Sequence, residues 1–321
     1  MAGYAMSYVA LVARNVAPVC RFLGDSLGLQ RTDVPLQGRA VPFFGIGKSA
    51  VVVFEVDDPY LDEPRFPGVH HMALAAADPA ATAARHALPV SGSGTGPEGR
   101  RFVAIDPAAT VGIRTRFIEP LAIAAGNGLA YKIDHLGIAS NDNEASVRVF
   151  TGNLGCPIES TQTDVEIRGV TESFISDKYG AVYHARAPQI LGGLRTVFIT
   201  VGDCELELLM DYDPSMKPKA QLGNEQGNTK GDQSAIAKFV ARRGPGLAHV
   251  AFATRDIDAL LPRLSAEGWR MIDLAGRPGG RGSKIGFVHP SNFGGGLLLH
   301  FVEPELDGGY IASISSKEEQ T

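Results

Sequence analysis

Gly244 to Leu261 reads GPGLAHVAFATRDIDALL: an apolar run of strand length carrying His249, a break at Asp256 where a helix N-cap belongs, and an apolar-periodic helix. The same order stands earlier in the chain. GVHHMALAAAD, from Gly68, aligns without a gap on GLAHVAFATRD, from Gly246. Three further pairs follow suit: MSYVALVARN from Met6 with IDHLGIASND from Ile133, GKSAVVVFEVDDP from Gly47 with GDCELELLMDYDP from Gly202, and RFIEP from Arg116 with HFVEP from His300. Four matches in one order divide the 321 residues into two homologous halves.

Each half divides again. KIDHLGIA is followed by a helix from about Asn143, stopped by Gly155, and then by strands that include LRTVFITVG and CELELLM. LAHVAFA is followed by the helix DIDALLPRLSAEG, capped by Asp256 and stopped by Gly268, and by the strands KIGFVHP and GLLLHFVEP. Strand, helix and a run of strands therefore recur four times, and two such modules per half pair their sheets into a cupped half-barrel with helices on the convex side. The fold class is α+β. Offsets of 127, 155, 178 and 184 between paired positions place the extra length of the second half at Ser160 to Leu191 and in SMKPKAQLGNEQGNTKGDQ after Pro214, a polar stretch that reads as a surface loop.

Composition narrows the partners. A hydrophobic fraction of 44% with 20% charged residues is that of a globular protein, and no apolar run approaches the roughly 18 residues that span a bilayer. A net charge of −5 gives no basic footprint for nucleic acid. The opening MAGYAMSYVALVARN lacks a basic n-region and reads as a first strand, so a cytoplasmic location is expected. Cys20, Cys156 and Cys204 are odd in number and unrelated in spacing, which argues against a disulfide framework or a zinc-thiolate site. A small-molecule partner is expected.

Alternation along the strands then sorts the polar residues by face. Leu136 and Ile138 share one face of KIDHLGIA, with His135 on the other beside Ile133 and Gly137. Leu206, Leu208 and Met210 leave Glu205 and Glu207 opposite; Val250 and Phe252 leave His249; Leu297, Leu299 and Phe301 leave His300. Taken singly, a strand histidine is an ordinary core or rim residue. Here four strands aim His135, Glu207, His249 and His300 at one concavity, and buried carboxylates are costly unless paired or metal-bound. The repeat supplies a control: the first half has Tyr8, Val52, His71 and Arg116 at the equivalent positions. A requirement of the fold would not treat the halves so differently. One divalent metal ion is expected in the second half, held by His135, Glu207, His249 and His300, and none in the first.

IDHLGIA, VGDCELELL, SAIAKFVARRGPGLAHVAFATRDIDALLPRLSAEGWRMID and GGRGSKIGFVHPSNFGGGLLLHFVEP together resemble methylmalonyl-CoA epimerase, of the vicinal oxygen chelate or glyoxalase superfamily, over about Ile133 to Pro304. The first half resembles only the generic superfamily module. The resemblance implies four βαβββ modules in two domains, a degenerate, metal-free 1–122 and a metal-binding, epimerase-like 130–305, joined by LAIAAGNGLA and followed by a polar tail over 306–321. By position, His135, Glu207 and His249 correspond to metal ligands, and His300 stands where the family has a glutamate. That carboxylate is usually thought to take part in proton transfer, so His300 serves as ligand or as base. LRTVFIT, where a second acidic residue belongs, has none. The insert offers Asp177, Lys178, Tyr183 and His184 as acid–base groups.

Three imidazoles and one carboxylate leave net positive charge on a divalent zinc, cobalt, nickel, manganese or ferrous ion, suited to polarising a carbonyl. The leading expectation is a metal-dependent isomerase, epimerase or lyase that stabilises the enolate of a carbonyl or acyl-CoA thioester substrate. A non-haem Fe(II) ring-cleaving or 2-oxoacid dioxygenase is the alternative, because such enzymes share the tandem plan and His135, His249 and one further ligand approach a facial set. A non-catalytic small-molecule binding protein is the second. A homodimer is compatible with any of these. GRPGGRGSK, Gly276 to Lys284, presents Arg277, Arg281 and Lys284 to an anionic substrate tail, although a flexible hairpin-like loop explains it more readily; His289, in HPSNFGGG, reads as structural.

Overall fold

In the computed structural model, residues 4–123, 126, 128–168, 171–178, 180–185, 189–211 and 235–304 are described. The polar stretch after Pro214 and the tail over 306–321 lie outside them.

The first half runs β1 (Met6–Ala13), α1 (Val16–Arg21), β2 (Arg31–Leu36), β3 (Arg39–Ile46), β4 (Ser49–Glu55), β5 (Gly68–Ala75), α2 (Pro79–Arg85), β6 (Val90–Thr95), β7 (Arg101–Ile105) and β8 (Thr115–Ile118). The second runs β9 (Ala130–Ser140), α3 (Asn143–Val147), β10 (Ile158–Arg168), β11 (Thr171–Ser176), β12 (Gly180–Ala185), β13 (Gln189–Val201), β14 (Cys204–Asp211), α4 (Ala235–Arg243), β15 (Gly246–Thr254), α5 (Ile257–Ala266), β16 (Arg277–Pro278), β17 (Lys284–Val288) and β18 (Leu298–Glu303). Each half forms an eight-stranded sheet, ordered β2-β3-β4-β1-β5-β8-β7-β6 and β10-β13-β14-β9-β15-β18-β17-β16. In every module the first strand lies parallel to the last, and the two first strands of a half meet antiparallel. Four βαβββ modules result, with β11 and β12 as a separate two-stranded insert in the third. Among the described residues no helix is long and apolar enough to cross a membrane.

The four helices that follow a first strand start alike. Asn15, Asp78, Asp142 and Asp256 each accept a hydrogen bond from a first-turn backbone N–H, at Ala17, Ala81, Ala145 and Ala259. Such a cap contributes about 1 kcal/mol and fixes where the chain leaves the strand. Leu260, Leu261 and Leu264 of α5 bury against the sheet. The convex faces of both halves merge into one apolar core, which runs from Val9 and Leu11 through Phe22 to Leu136, Val250 and Phe301. Trp269 closes it, donating from Nε1 to Ser26 Oγ at 2.8 Å and packing edge-on against Phe22.

Strict alternation is broken in β9. Opposite β15, His135 pairs with Ala251 and Ile133 with Phe252, so Asp134 is an extra, bulged residue. Ile133 therefore turns into the apolar core with Leu136, away from His135, contrary to the face expected from alternation.

Candidate metal centre

His135, Glu207, His249 and His300 come from β9, β14, β15 and β18, four adjacent strands at the centre of the second sheet. All three histidines are buried. His135 Nε2 lies 3.2 Å from Glu207 Oε2, His249 Nε2 lies 3.4 Å from the same oxygen, and the two Nε2 atoms are 3.4 Å apart. Metal–ligand bonds of about 2.1 Å separate neighbouring ligand atoms by roughly 3.0 Å in an octahedron and 3.4 Å in a tetrahedron. The three atoms thus stand at the spacing of ligands on one ion. One ligand atom each from His135, His249 and His300 fall within 4.8 Å of one another, and both nitrogens of His300 are buried without a hydrogen-bond partner among the described residues. A buried imidazole with neither nitrogen satisfied carries a desolvation cost that a bound cation relieves. The residues therefore fit a divalent ion.

The electrostatics agree. Burial opposes charge on His135, but the neighbouring Glu207 and Asp134 carboxylates outweigh it and push the imidazole up to about 9. Burial also works against the Glu207 carboxylate, yet His135 and His249 hold it well below the usual range. Burial keeps His249 and His300 low and hence neutral, the second further depressed by the other two histidines. The Glu207 carboxylate and the neutral His249 and His300 imidazoles suit a first-row divalent ion, which would displace the proton that Glu207 and Asp134 hold on His135.

Several residues that shape this site escape reading strand by strand. The bulge brings the Asp134 carboxylate beside its neighbour, with Oδ2 2.9 Å from His135 Nδ1, which orients the ring and leaves Nε2 toward the centre. Arg281 Nη2 donates to the same Oδ2 at 2.6 Å, with its guanidinium over the Phe198 ring at 4.4 Å. Phe287 packs edge-on against His300 at 4.3 Å. Phe198 and Phe287 are the cross-strand partners of Glu207 and His300, a relation that needs register as well as face. The basic residues of the loop from Gly276 to Lys284 are accordingly paired with acids of this chain: besides the Arg281 pair, Lys284 Nζ lies 2.8 Å from Asp258 at the surface and Arg277 Nε 3.4 Å from the buried Asp273. His289 is structural, accepting at Nδ1 from Ser291 N.

Glu205 shares the Glu207 face, half-buried, its carboxyl pushed up by burial. Asp177 and Lys178 are exposed at the turn joining β11 and β12. The backbones of Tyr183 and His184 pair with Ser173 and Glu172 in that hairpin, outside the eight-stranded sheet; their side chains lie outside the described residues. Arg195 donates to Thr163 Oγ1.

The first cup is filled differently. Tyr8 Oη lies 3.2 Å from His71 Nε2 and 3.0 Å from Tyr60 Oη. Arg116, 1% exposed, donates to Asp62 at 2.7 Å and stacks between the Tyr60 and Phe102 rings at 4.4 and 4.6 Å. Val52 completes this cluster.

Two cupped sheets of βαβββ modules with His, carboxylate and His converging in one cup define a half-barrel protein of tandem plan with a candidate metal centre. Residues 134–287 match the sequence profile of the Glyoxalase/Bleomycin resistance protein/Dioxygenase superfamily, and the chain is a tandem protein of that vicinal oxygen chelate fold. It is similar to the uncharacterized protein YqjC of Bacillus subtilis (strain 168), 34% identical over 74 residues, or 23% of this chain and 52% of that one. The chain thus matches about half the length of that curated relative. A mutant of 4-hydroxymandelate synthase from Streptomyces coelicolor superposes over 100% of both chains with a TM-score of 0.60 at 14% identity, a likeness of fold. Methylmalonyl-CoA epimerase from Mycobacterium tuberculosis matches 60% of this chain and 97% of its own at 25% identity, with a TM-score of 0.39.

Proposed function

We propose that the protein is a divalent-metal-dependent isomerase, epimerase or lyase that enolises a small carbonyl or acyl-CoA thioester substrate in the second cup. The domain over 130–305 bears the metal, and that over 1–122 is a metal-free companion. The observation that carries this reading is the convergence of His135, Glu207 and His249 at 3.2 to 3.4 Å beside the unpartnered His300. Glu207, His135 and His249 would hold the ion, with His300 as fourth ligand or as the group that moves a proton. When bound, the ion supplies the positive charge that stabilises negative charge developing on a substrate oxygen.

The protein's own contribution is positional. Asp134 fixes the His135 ring, Phe198 and Phe287 flank the centre and limit water, and a neutral His300 imidazole can accept a proton at the substrate's acidic carbon. Tyr183 and His184 of the insert, whose side chains lie outside the described residues, are the candidates for a second acid–base group, whereas Asp177 and Lys178 are exposed at the turn between β11 and β12. The function is tested by incubating the metal-loaded protein in deuterated water with a panel of acyl-CoA thioesters and 2-substituted carbonyl compounds and following α-proton exchange by NMR. Exchange that His300→Ala abolishes while metal stays bound supports enolisation with His300 as base.

A second reading has its own support, because two histidines and one carboxylate at mutual ligand spacing also match the facial set of non-haem Fe(II) oxygenases. Oxygen uptake that depends on Fe(II), with no proton exchange under any divalent metal, would decide for it.

A further inference from the structure

The two halves meet through a pair of equivalent contacts. A β-carbon on Gly112 would come within 2.1 Å of the Pro245 carbonyl oxygen, and one on Gly296 within 2.6 Å of the Pro67 carbonyl oxygen. These four positions interchange under the repeat: Gly112 matches Gly296, and Pro67 matches Pro245. Beside the Gly112–Pro245 contact opens a cavity of about 330 Å³, within the size range of small-molecule sites.

Its chemistry is specific. Arg114, half-buried on the first half, reaches in with His70, to whose Nε2 its Nη1 comes within 2.6 Å. Arg243, at the end of α4 on the second half, stands at the rim with its guanidinium 5.3 Å from the Phe66 ring and 5.6 Å from that of Phe239. Neither arginine lies within ion-pair distance of a carboxylate among the described residues. The acids nearby are engaged: Glu63, which also lines the cavity, pairs with Arg65 at 3.1 Å, and Asp62 pairs with Arg116 at 2.7 Å. Burial depresses both guanidiniums, outweighing the opposing Asp62 and Glu63 carboxylates at Arg114 and reinforced by Arg242 at Arg243. Phe66 is 46% exposed, a large apolar ring left facing solvent beside two positive charges.

The repeat again supplies the control. At the equivalent junction on the other side, Leu298 stands for Arg114, Ala248 for His70 and Gly244 for Phe66, while the counterpart of Arg243 is Arg65, already paired with Glu63. The equivalent contact forms without counterparts of Arg114, His70 or Phe66, so it does not need them; Arg243 serves both junctions, its Nη1 donating to the Pro67 carbonyl oxygen at 3.1 Å.

We propose that the cavity between Arg114 and Arg243 is a binding site for a small organic anion, a carboxylate borne on an apolar or aromatic body. The carboxylate sits between the two guanidiniums, and the apolar body lies against Phe66 and Phe239. A charge-assisted arginine–carboxylate contact in a partly desolvated cleft gives more than a neutral amide can recover there. The site is separate from the metal centre and does not depend on the reaction catalysed there.

Isothermal titration of the full-length, metal-loaded protein with phenylacetate and with phenylacetamide, at low ionic strength, tests this directly. Saturable binding of one phenylacetate per chain is expected, with the amide weaker by about tenfold or more, the effect of one lost charge-assisted contact. Arg114→Leu, which installs the residue found at the equivalent position, should weaken phenylacetate by a similar factor, and Arg243→Gln should weaken it independently. His249→Ala, which disables the metal centre, should leave it unchanged. Thermal melts followed by circular dichroism establish that each variant is folded. No saturable binding, equal affinity for acid and amide, or affinity indifferent to both arginine variants would overturn the proposal. Loss of binding in His249→Ala alone would relocate the ligand to the second cup and overturn it equally.

Discussion

The ring of His249 occupies the space where any side chain at position 137 would begin: a β-carbon on Gly137 would lie 1.9 Å from His249 Cε1 and 2.2 Å from Nε2. The cause is register. His249 pairs with Gly137 across β9 and β15, and a bulge at Ala248 turns the imidazole over the facing strand. Gly137→Ala should therefore expel the ring. Metal affinity is expected to fall by about tenfold or more, as for a displaced ligand, with a loss of stability of about 1–3 kcal/mol from overpacking. Metal titration and urea unfolding measure the two; a variant with unchanged metal affinity would contradict the placement of His249.

The sequence made the repeat, the four modules and the faces of His135, Glu207, His249 and His300 legible, because alternation and internal matching report face directly. It did not reveal Gly137, Asp134 or Phe287. Gly137 matters through a cross-strand pair and Asp134 through a bulge, and both need register, which periodicity does not carry. Ile133 illustrates the same limit, since one bulged residue moved it to the opposite face from that expected. Arg281 was legible as a cation on a glycine loop but not as a partner of Asp134, because 147 residues separate the two in sequence.

Asp134 should act through His135. Asp134→Asn keeps the shape but removes the charge, and orienting partners of this kind are worth about 10- to 100-fold in metal affinity. Arg281→Met should produce a smaller loss by freeing the same carboxylate. Absorption spectra of the cobalt-substituted variants check whether the ligand field has changed; identical spectra and affinities would remove both residues from the site.

The merged core predicts that the halves unfold together. Trp269 ties the second half to Phe22 and Ser26 of the first. Trp269→Ala should cost about 3–5 kcal/mol, and Ser26→Ala about 1 kcal/mol from the lost hydrogen bond. Both should shift a single cooperative transition followed by far- and near-ultraviolet circular dichroism. Two separated transitions in the wild type would show independent halves.

His70 makes the first half sensitive to acid. Burial, then Arg114, lowers its imidazole to about 4, with Arg116 adding and the Asp62 backbone and carboxylate opposing; His71, whose Nδ1 stands 2.8 Å from His70 Nδ1, is also held neutral. The unfolded chain binds a proton near 6.5 that the folded chain refuses until about 4. Stability from this group is thus complete above pH 6.5 and lost as pH falls through that window, by up to about 3 kcal/mol. His70→Gln should flatten the acid limb of stability against pH between 6.5 and 4. A limb as steep as in the wild type would assign the acid sensitivity elsewhere.

The central claim is that the second cup holds one divalent ion on His135, Glu207 and His249, with His300 as fourth ligand or as the proton-moving group. Elemental analysis of the purified protein, before and after reconstitution, beside His249→Ala prepared in the same way, tests it most directly. About one metal ion per chain, lost in the variant, is the result predicted, and its identity separates enolisation from oxygen chemistry. No stoichiometric metal in the reconstituted wild type, or an equal amount in the variant, would contradict it.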